Sequence, residues 1–260
     1  MRALIVSASP RKEGLCARIS RSIAGGVVEA GGDADIVYLS DVKIGPCRAC
    51  DNAVCWREMK CTVKDDALKL REMFNKCDAF ALIAPVYFLS VNGLAKNFID
   101  RMRYYGENGK PAVAVAVAGG TGKGCIFALQ EMCRWLVLVG FRPTSLIPVT
   151  RYNFDLASAE AKLAGKRLVN AKPQPFKNLA EKLAFWEMLP YMRYTTLDEM
   201  VYLARETVNS ISRKGKHDLV VQLVEELEKV EALKNLGLHT EALKQATEVQ
   251  EASMKIYNSI

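Results

Sequence analysis

The chain has 260 residues, half of them apolar, and a formal net charge of +7. It is long enough to bury a sizeable core and too apolar to be disordered. Its longest apolar runs, near Ala112 to Ala118 and Trp135 to Val139, fall far short of the roughly 20 residues of a membrane helix. The first residues enter a strand without a charged leader, so the expectation is a soluble cytoplasmic protein with no membrane partner. Nearly all of the basic excess lies in the first 150 residues, with no basic face interleaved with aromatics. That pattern favours phosphates or acidic redox partners over nucleic acid.

Ala3-Leu4-Ile5-Val6 reads as a short strand running into Ser7-Ala8-Ser9-Pro10-Arg11-Lys12-Glu13-Gly14-Leu15-Cys16 and then a helix. An anion at a helix N-terminus meets unpaired backbone N–H groups and the positive end of the helix dipole, and Arg11 and Lys12 add full charges. Ser9 offers a hydroxyl, and Gly14 lets a ligand approach the backbone. The loop is neither a Gly-Lys-Ser/Thr triphosphate loop nor a Gly-x-Gly-x-x-Gly turn, so flavin mononucleotide (FMN) is the natural candidate. The plainer alternative is a strand-to-helix turn with solvated charges.

The first helix runs past Gly25-Gly26 and ends near Gly31-Gly32, and Asp35 to Leu39 alternates as a second strand. Cys47, Cys50, Cys55 and Cys61 then give Cys-x2-Cys-x4-Cys-x5-Cys behind the turn pair Gly45-Pro46. Four soft thiolates this close suit a four-iron four-sulfur cluster better than zinc, which more often takes two widely separated pairs. Unligated or redox-active thiols are the third option, and Cys16, Cys77, Cys125 and Cys133 read as buried small hydrophobes.

A helix from Asp65 leads to a buried strand, Ala79 to Ala84, which ends at Pro85-Val86-Tyr87-Phe88. Ser90 to Tyr104 reads as a helix with Lys96 and Asp100 one turn apart and Arg101 and Arg103 near its end, favourable for the dipole; the plainer alternative is a solvated face. Ala112 to Ala118 is a fourth strand, followed by Gly119-Gly120-Thr121-Gly122-Lys123-Gly124 and a helix through Leu138. Ser145 to Val149 is the fifth strand. Three ligand-like loops after strands one, three and four would share one edge of a doubly wound parallel sheet. Beyond Asp155 strands disappear. Helices are expected near Leu156 to Val169, Asn178 to Met188, Leu197 to Ser212, His217 to Leu236 and Thr240 to Tyr257. The last two form a hairpin with an apolar stripe that must bury against the chain itself or, by slight preference, another subunit.

Together these motifs resemble the iron-sulfur flavoproteins, a branch of the NADPH-dependent FMN reductases. The resemblance rests on Ser7 to Gly14, the four cysteines followed by Lys64-Asp65-Asp66, Pro85 to Phe88 with Lys96-Asn97-Phe98-Ile99-Asp100-Arg101, and the Gly119 to Gly124 loop. Arg151-Tyr152-Asn153-Phe154 looks like the family's exit from its last strand. The resemblance implies an α/β fold, flavodoxin-like, with a five-stranded doubly wound parallel sheet in residues 1–154 and an all-helical extension in residues 155–260. It further implies that Ser9, Arg11 and the backbone of Lys12, Glu13, Gly14, Leu15 and Cys16 hold the FMN phosphate. Pro85, Val86, Tyr87, Phe88, Asn92, Gly119, Gly120, Thr121 and Gly122 would surround the flavin ring. Cys47, Cys50, Cys55 and Cys61 would ligate a 4Fe-4S cluster in a homodimer or homotetramer.

The implied function is an FMN-dependent oxidoreductase in which no side chain is nominated as acid or base. NAD(P)H or a ferredoxin-like protein would be the redox partner. Two rivals remain: a cluster-free NAD(P)H-dependent FMN or quinone reductase, and a redox-responsive module docking a partner through its C-terminal helices. Two departures from the family pattern stand out. Cys50 and Cys55 have four residues between them where two are usual, so the loop bulges or the cluster is altered. Cys16 stands where Ser or Thr is usual, a weaker hydrogen-bond donor.

Overall fold

Five residues of β1 (Arg2–Ser7) are fully buried in succession, the pattern of a parallel strand covered on both faces. In the computed structural model, which describes residues 1–50, 54–58, 61–104 and 108–260, this strand lies inside the sheet. β1 pairs in parallel with β2 (Asp33–Tyr38) on one side and β3 (Ala79–Tyr87) on the other, Ile5 lying opposite Ile36 and Ala81. β5 (Pro111–Ala118) and β6 (Arg142–Thr150) extend the sheet to the order β2-β1-β3-β5-β6. The chain therefore reverses its direction of travel between β1 and β3, the switch point where ligands of such sheets sit. The five expected parallel strands are present; a sixth, β4 (Ser90–Val91), forms a short antiparallel hairpin with the end of β3.

That hairpin corrects the expected helix over Ser90 to Tyr104. The helix there, α4, spans Gly93–Arg101, because Asn92 caps it by accepting from the Ala95 N–H. Preceding it are α1 (Leu15–Glu29), α2 (Val54–Arg57) and α3 (Ala67–Lys76), and β5 is followed by α5 (Cys125–Val139). Helices α3, α4 and α5 cover one face of the sheet around an aromatic cluster. Phe74 lies 4.8 Å from Phe80 and 5.5 Å from Trp135, ring centre to ring centre.

The other face is covered by α1 and α6 (Phe154–Asn170), with Ala157, Ala161, Ala164 and Leu168 buried against Ile19, Ile23 and Val27. Expected at the start of the helical extension, α6 thus completes the sheet's second layer. The two helices touch through glycines: a Cβ on Gly26 would lie 1.9 Å from the Lys162 carbonyl oxygen, and one on Gly165 would lie 2.1 Å from that of Ile23.

The remaining helices are α7 (Leu179–Met188), α8 (Thr196–Arg213), α9 (Val221–Asn235) and α10 (His239–Ser259). The apolar stripe of the last pair is buried within the chain. Leu223 and Leu227 pack with Ala204, Val208 and Val249, while Val230 packs with Leu197, Met200 and Ala246. The preference for a second subunit as the cover of this stripe is therefore corrected: α8 supplies it. No helix among the described residues is long and apolar enough to cross a membrane.

Candidate functional site

The loop after β1 is pinned from below. The Ala8 N–H donates to the Ile83 carbonyl at 2.8 Å, and the Ala8 carbonyl accepts from Asn92 Nδ2 at 2.8 Å. Ser9 is buried and its Oγ accepts from the Arg11 N–H at 3.1 Å. Ser7 Oγ is buried with no hydrogen-bond partner among the described residues, and no side chain caps α1 at Gly14. A buried hydroxyl and a first turn of uncapped N–H groups are what a phosphate requires. The fit to the phosphate end of FMN is good.

Three details of the loop bear on that fit. Gly14 has φ −81°, which any residue adopts, so its lack of a side chain opens the mouth of the loop but is not needed for its path. The Lys12 ammonium is paired with Asp41 at 2.5 Å and Glu13 with Arg21 at 3.2 Å, whereas Arg11 forms no ion pair among the described residues. Burial pushes the Cys16 thiol up to about 12, against the opposing pull of Ser9 and Arg11. At neutral pH it is a neutral, weak donor in the first turn of α1.

The second loop is the β3–β4 hairpin. Its two central residues, Phe88 and Leu89, have φ 51° and 68°, a left-handed pair normally filled by Asn and Gly. Phe88 is fully exposed, with Tyr87 and Leu89 about half exposed. Asn92, expected beside the ring, is buried and spends both ends of its amide within the protein, on Ala8 and Ala95; it ties the first two loops together.

The third loop joins β5 to α5. A Cβ on Gly119 would touch Leu15 at 4.0 Å, which sets this loop beside the first, and one on Gly124 would lie 2.4 Å from Leu89 Cα, which sets it beneath the second. Gly119, Gly120 and Thr121 are exposed; Gly122 and Gly124 are buried. The N–H groups at the start of α5 are already occupied. Glu199 of α8 accepts from Gly124 N at 3.0 Å and Ile126 N at 2.8 Å, and α10 donates from Gln250 Nε2 to the Thr121 carbonyl at 3.3 Å. Burial raises the Glu199 pKa, with those amides opposing the shift. Glu199 and Gln250 lie about 75 and 130 positions from the loop they hold. In sequence Glu199 is one more acidic residue in the first turn of an amphipathic helix.

All four clustered cysteines line one cavity of about 240 Å³, together with Arg71, Arg101 and Arg103. Ala49, at φ 46°, turns the chain between Cys47 and Cys50. The expected bulge between Cys50 and Cys55 includes residues 51–53, which lie outside the described residues. Cys50 Sγ lies 3.0 Å from Thr62 Oγ1, and Arg101 Nη2 donates to Cys61 Sγ at 3.4 Å. Among the described residues no three His, Cys, Asp or Glu side chains are gathered into a metal-binding group. The donor chemistry fits an iron-sulfur cluster: four thiols on one cavity, whose lining carries more arginines than carboxylates.

Arg101 corrects the solvated-face reading. Its side chain is 2% exposed and forms a two-pronged pair with Asp65, both contacts 2.9 Å. It also donates to the carbonyls of Gly45 at 2.8 Å and Val63 at 3.3 Å. Asp65 in turn accepts from the N–H groups of Gly45 and Ala67. One guanidinium and one carboxylate thus close the base of the cysteine loop at both ends. By contrast, Lys96 and Asp100 form an exposed pair one helical turn apart, as expected. Cys16, Cys77, Cys125 and Cys133 are buried, also as expected.

A parallel sheet with three loops at one edge, one of them leading into an uncapped helix N-terminus beside a buried serine pair, defines a flavodoxin-like α/β protein. Residues 1–147 match the family model of the NADPH-dependent FMN reductases, and the chain belongs to that family. Among curated proteins it is similar to two iron-sulfur flavoproteins of Archaeoglobus fulgidus. One is 32% identical over 127 residues, 47% of this chain and 57% of the relative; the other is 27% identical over 205 residues, 70% of this chain and all of the relative. The chain thus spans little more than half the length of the first. Among solved structures, an NAD(P)H:quinone oxidoreductase from Methanothermobacter marburgensis superposes with a TM-score of 0.51 at 17% identity, over 67% of this chain and 99% of that one. That likeness is one of fold.

Proposed function

We propose that this protein is an FMN-dependent oxidoreductase of the iron-sulfur flavoprotein kind. The β1 loop holds the FMN phosphate, and Cys47, Cys50, Cys55 and Cys61 hold a 4Fe-4S cluster. The observation that carries the reading is the pairing, in one α/β unit, of an uncapped phosphate loop with a cavity onto which four thiols open. When bound, the flavin supplies two-electron chemistry and the cluster one-electron chemistry.

The chain's own part is to bind and orient. Ser7, Ser9, Arg11 and the first turn of α1 meet the phosphate, while Pro85 to Phe88 and the exposed Gly119 to Thr121 flank the ring. Gly122 is packed beneath that loop against Leu203 and Thr150, supporting it from below. Arg101 keeps the base of the cysteine loop closed and donates to one ligand sulfur. NAD(P)H or a small ferredoxin-like protein serves as redox partner, in the cytoplasm, where thiols stay reduced.

The test is metal and flavin analysis of anaerobically purified protein. The expected result is about four irons and one FMN per chain, with Cys50→Ser losing most of its iron and keeping its FMN. Iron content unchanged by Cys50→Ser would sink the cluster assignment. A second reading stands beside this one: a cluster-free NAD(P)H-dependent FMN or quinone reductase. It expects FMN without iron and rapid bleaching of the flavin by NADPH.

We further assign the hairpin tip Tyr87-Phe88-Leu89 to contacts between copies in a homodimer or homotetramer. A bulky pair held at positive φ costs about 1–3 kcal/mol per residue, and leaving Phe88 wholly in water recovers none of it. Light scattering is expected to show the assembly shifting toward monomer in Phe88→Ser. An unchanged mass would place the contact elsewhere.

A further inference from the structure

A second cleft opens at the same sheet edge, beyond β6, where the α/β unit meets the C-terminal helices. It encloses about 300 Å³ and is lined by Arg151, Tyr152, the first turn of α6, Arg213, Lys214 and Tyr257. Its charge is unbalanced. Arg151, Arg213 and Lys214 form no ion pair among the described residues, and the one carboxylate on its wall is Asp155. The cations are instead held by uncharged partners. Arg151 Nη2 donates to Tyr152 Oη at 3.1 Å, Arg213 Nη2 donates to the Tyr152 carbonyl at 3.0 Å, and Lys214 Nζ sits 4.0 Å from the centre of the Tyr257 ring.

Two further observations point to a ligand. Arg151 Nε is buried without a hydrogen-bond partner among the described residues, a donor that an anion would satisfy. The first turn of α6, a 17-residue helix, lines the cleft and has no side-chain cap, because Asn153 Oδ1 is spent on Thr150. That adds the positive end of a helix dipole to three cations. Tyr152 and Tyr257, packed edge to face at 4.9 Å, supply an aromatic wall.

We infer that this cleft binds the phosphate group of a small organic phosphate monoester, whose organic part lies against the half-buried Tyr257. A dianion matches the net positive wall, and guanidinium and ammonium together suit tetrahedral phosphate. The part of Tyr257 left uncovered by Lys214 and Tyr152 favours an ester over the free ion. The site is separate from the β1 loop: its residues come from the exit of β6, the end of α8 and the end of α10. It nevertheless shares the cofactor edge, since Thr150 packs on Gly122 and Arg18 of α1 stacks 4.2 Å over Phe154.

The experiment is calorimetric titration of the full chain, loaded with one equivalent of FMN to fill the β1 loop and freed of unbound FMN, at low salt. Adenosine 5′-monophosphate, ribose 5-phosphate and inorganic phosphate are the probes. One saturable site is expected, at least tenfold tighter for an ester than for inorganic phosphate. Lys214→Gln and Arg151→Gln should each weaken it tenfold or more, while the exposed Lys172→Gln should leave it unchanged. Lys214 is at the surface, so its variant folds even if that of Arg151 does not. No saturable binding, equal affinity for ester and free phosphate, or affinity unmoved by Lys214→Gln overturns the inference. So does binding seen only before FMN is added, which would place the phosphate in the β1 loop. None of these outcomes depends on iron content or turnover, so failure here is distinct from failure of the proposed function.

Discussion

Arg101→Met is expected to destabilise the protein by about 3–5 kcal/mol, the cost of leaving one member of a buried ion pair without its partner. The loss should exceed that of an ordinary surface pair because Asp65 would keep its burial and lose two of its four donors, while the Gly45 and Val63 carbonyls would lose theirs. The consequence is local first. With Gly45 and Val63 no longer drawn to α4, the segment bearing Cys47 to Cys61 is freed at its base, so the melting temperature should fall and, on the proposed cluster assignment, iron retention with it. Removing the exposed Lys96–Asp100 pair on the same helix, by Lys96→Met, is expected to cost less than about 0.5 kcal/mol. A Lys96 effect as large as that of Arg101 would contradict the assignment.

The same pair sets an acid dependence. Burial alone would push the Asp65 carboxyl up, but hydrogen bonds from Arg101, Gly45 and Ala67 outweigh it and hold the group below its ordinary range. A depressed folded-state value means the unfolded chain takes up the proton more readily. The contribution is therefore complete above the unfolded value of about 3.9 and is lost as pH falls through the folded one. The stability gap between the wild type and Asp65→Asn should be flat above about pH 5 and narrow below about pH 4. Denaturant unfolding across that range reads it directly, and a gap that widens in acid would reverse the sign.

Gly25→Ala and Gly26→Ala, neighbours on α1, are expected to act in opposite directions. In an exposed helix interior alanine is favoured over glycine by about 1 kcal/mol. A Cβ on Gly25 meets nothing within 4 Å, so that substitution should stabilise by about this amount. On Gly26 the same atom would lie 1.9 Å from the Lys162 carbonyl oxygen and 3.2 Å from Gly165 Cα. Both are backbone, so α6 must move away from α1. The overpacking costs about 1–3 kcal/mol beyond the propensity gain. Because α1 begins at the loop proposed to hold the FMN phosphate, FMN affinity should weaken in Gly26→Ala and not in Gly25→Ala. Equal shifts in both variants would show that the α1–α6 crossing is looser than the glycines indicate.

The fold was legible in the sequence wherever the signal is local. Buried parallel strands read as unbroken apolar runs, as in Ala79 to Ala84 and Ala112 to Ala118, and the loops behind them announce themselves by composition. The Ser9-to-Cys16 loop and the four-cysteine spacing needed no partner to be recognised, since each is a contiguous arrangement of donors. Even the Asp65–Arg101 clamp had a trace, in Lys64-Asp65-Asp66 and Asp100-Arg101. Its charges read as solvated because one helical turn cannot show which of its cations faces inward. The expected helix from Ser90 failed for a related reason: the Phe88-Leu89 turn adopts backbone angles that neither residue type advertises.

What the amino-acid sequence by itself determined was the succession of strands and helices along the chain, the donors offered by the loop after β1 and the thiol count. These depend on neighbours a few residues away, where composition and periodicity carry the physical constraint. Only the tertiary structure decided that Glu199 and Gln250 hold the glycine loop, that Arg101 is buried, and that α8 covers the terminal hairpin. It alone brought Arg151, Arg213 and Lys214 to one cleft. Each of these joins groups tens of residues apart, and its energy comes from burial and pairing that exist only after the layers have packed.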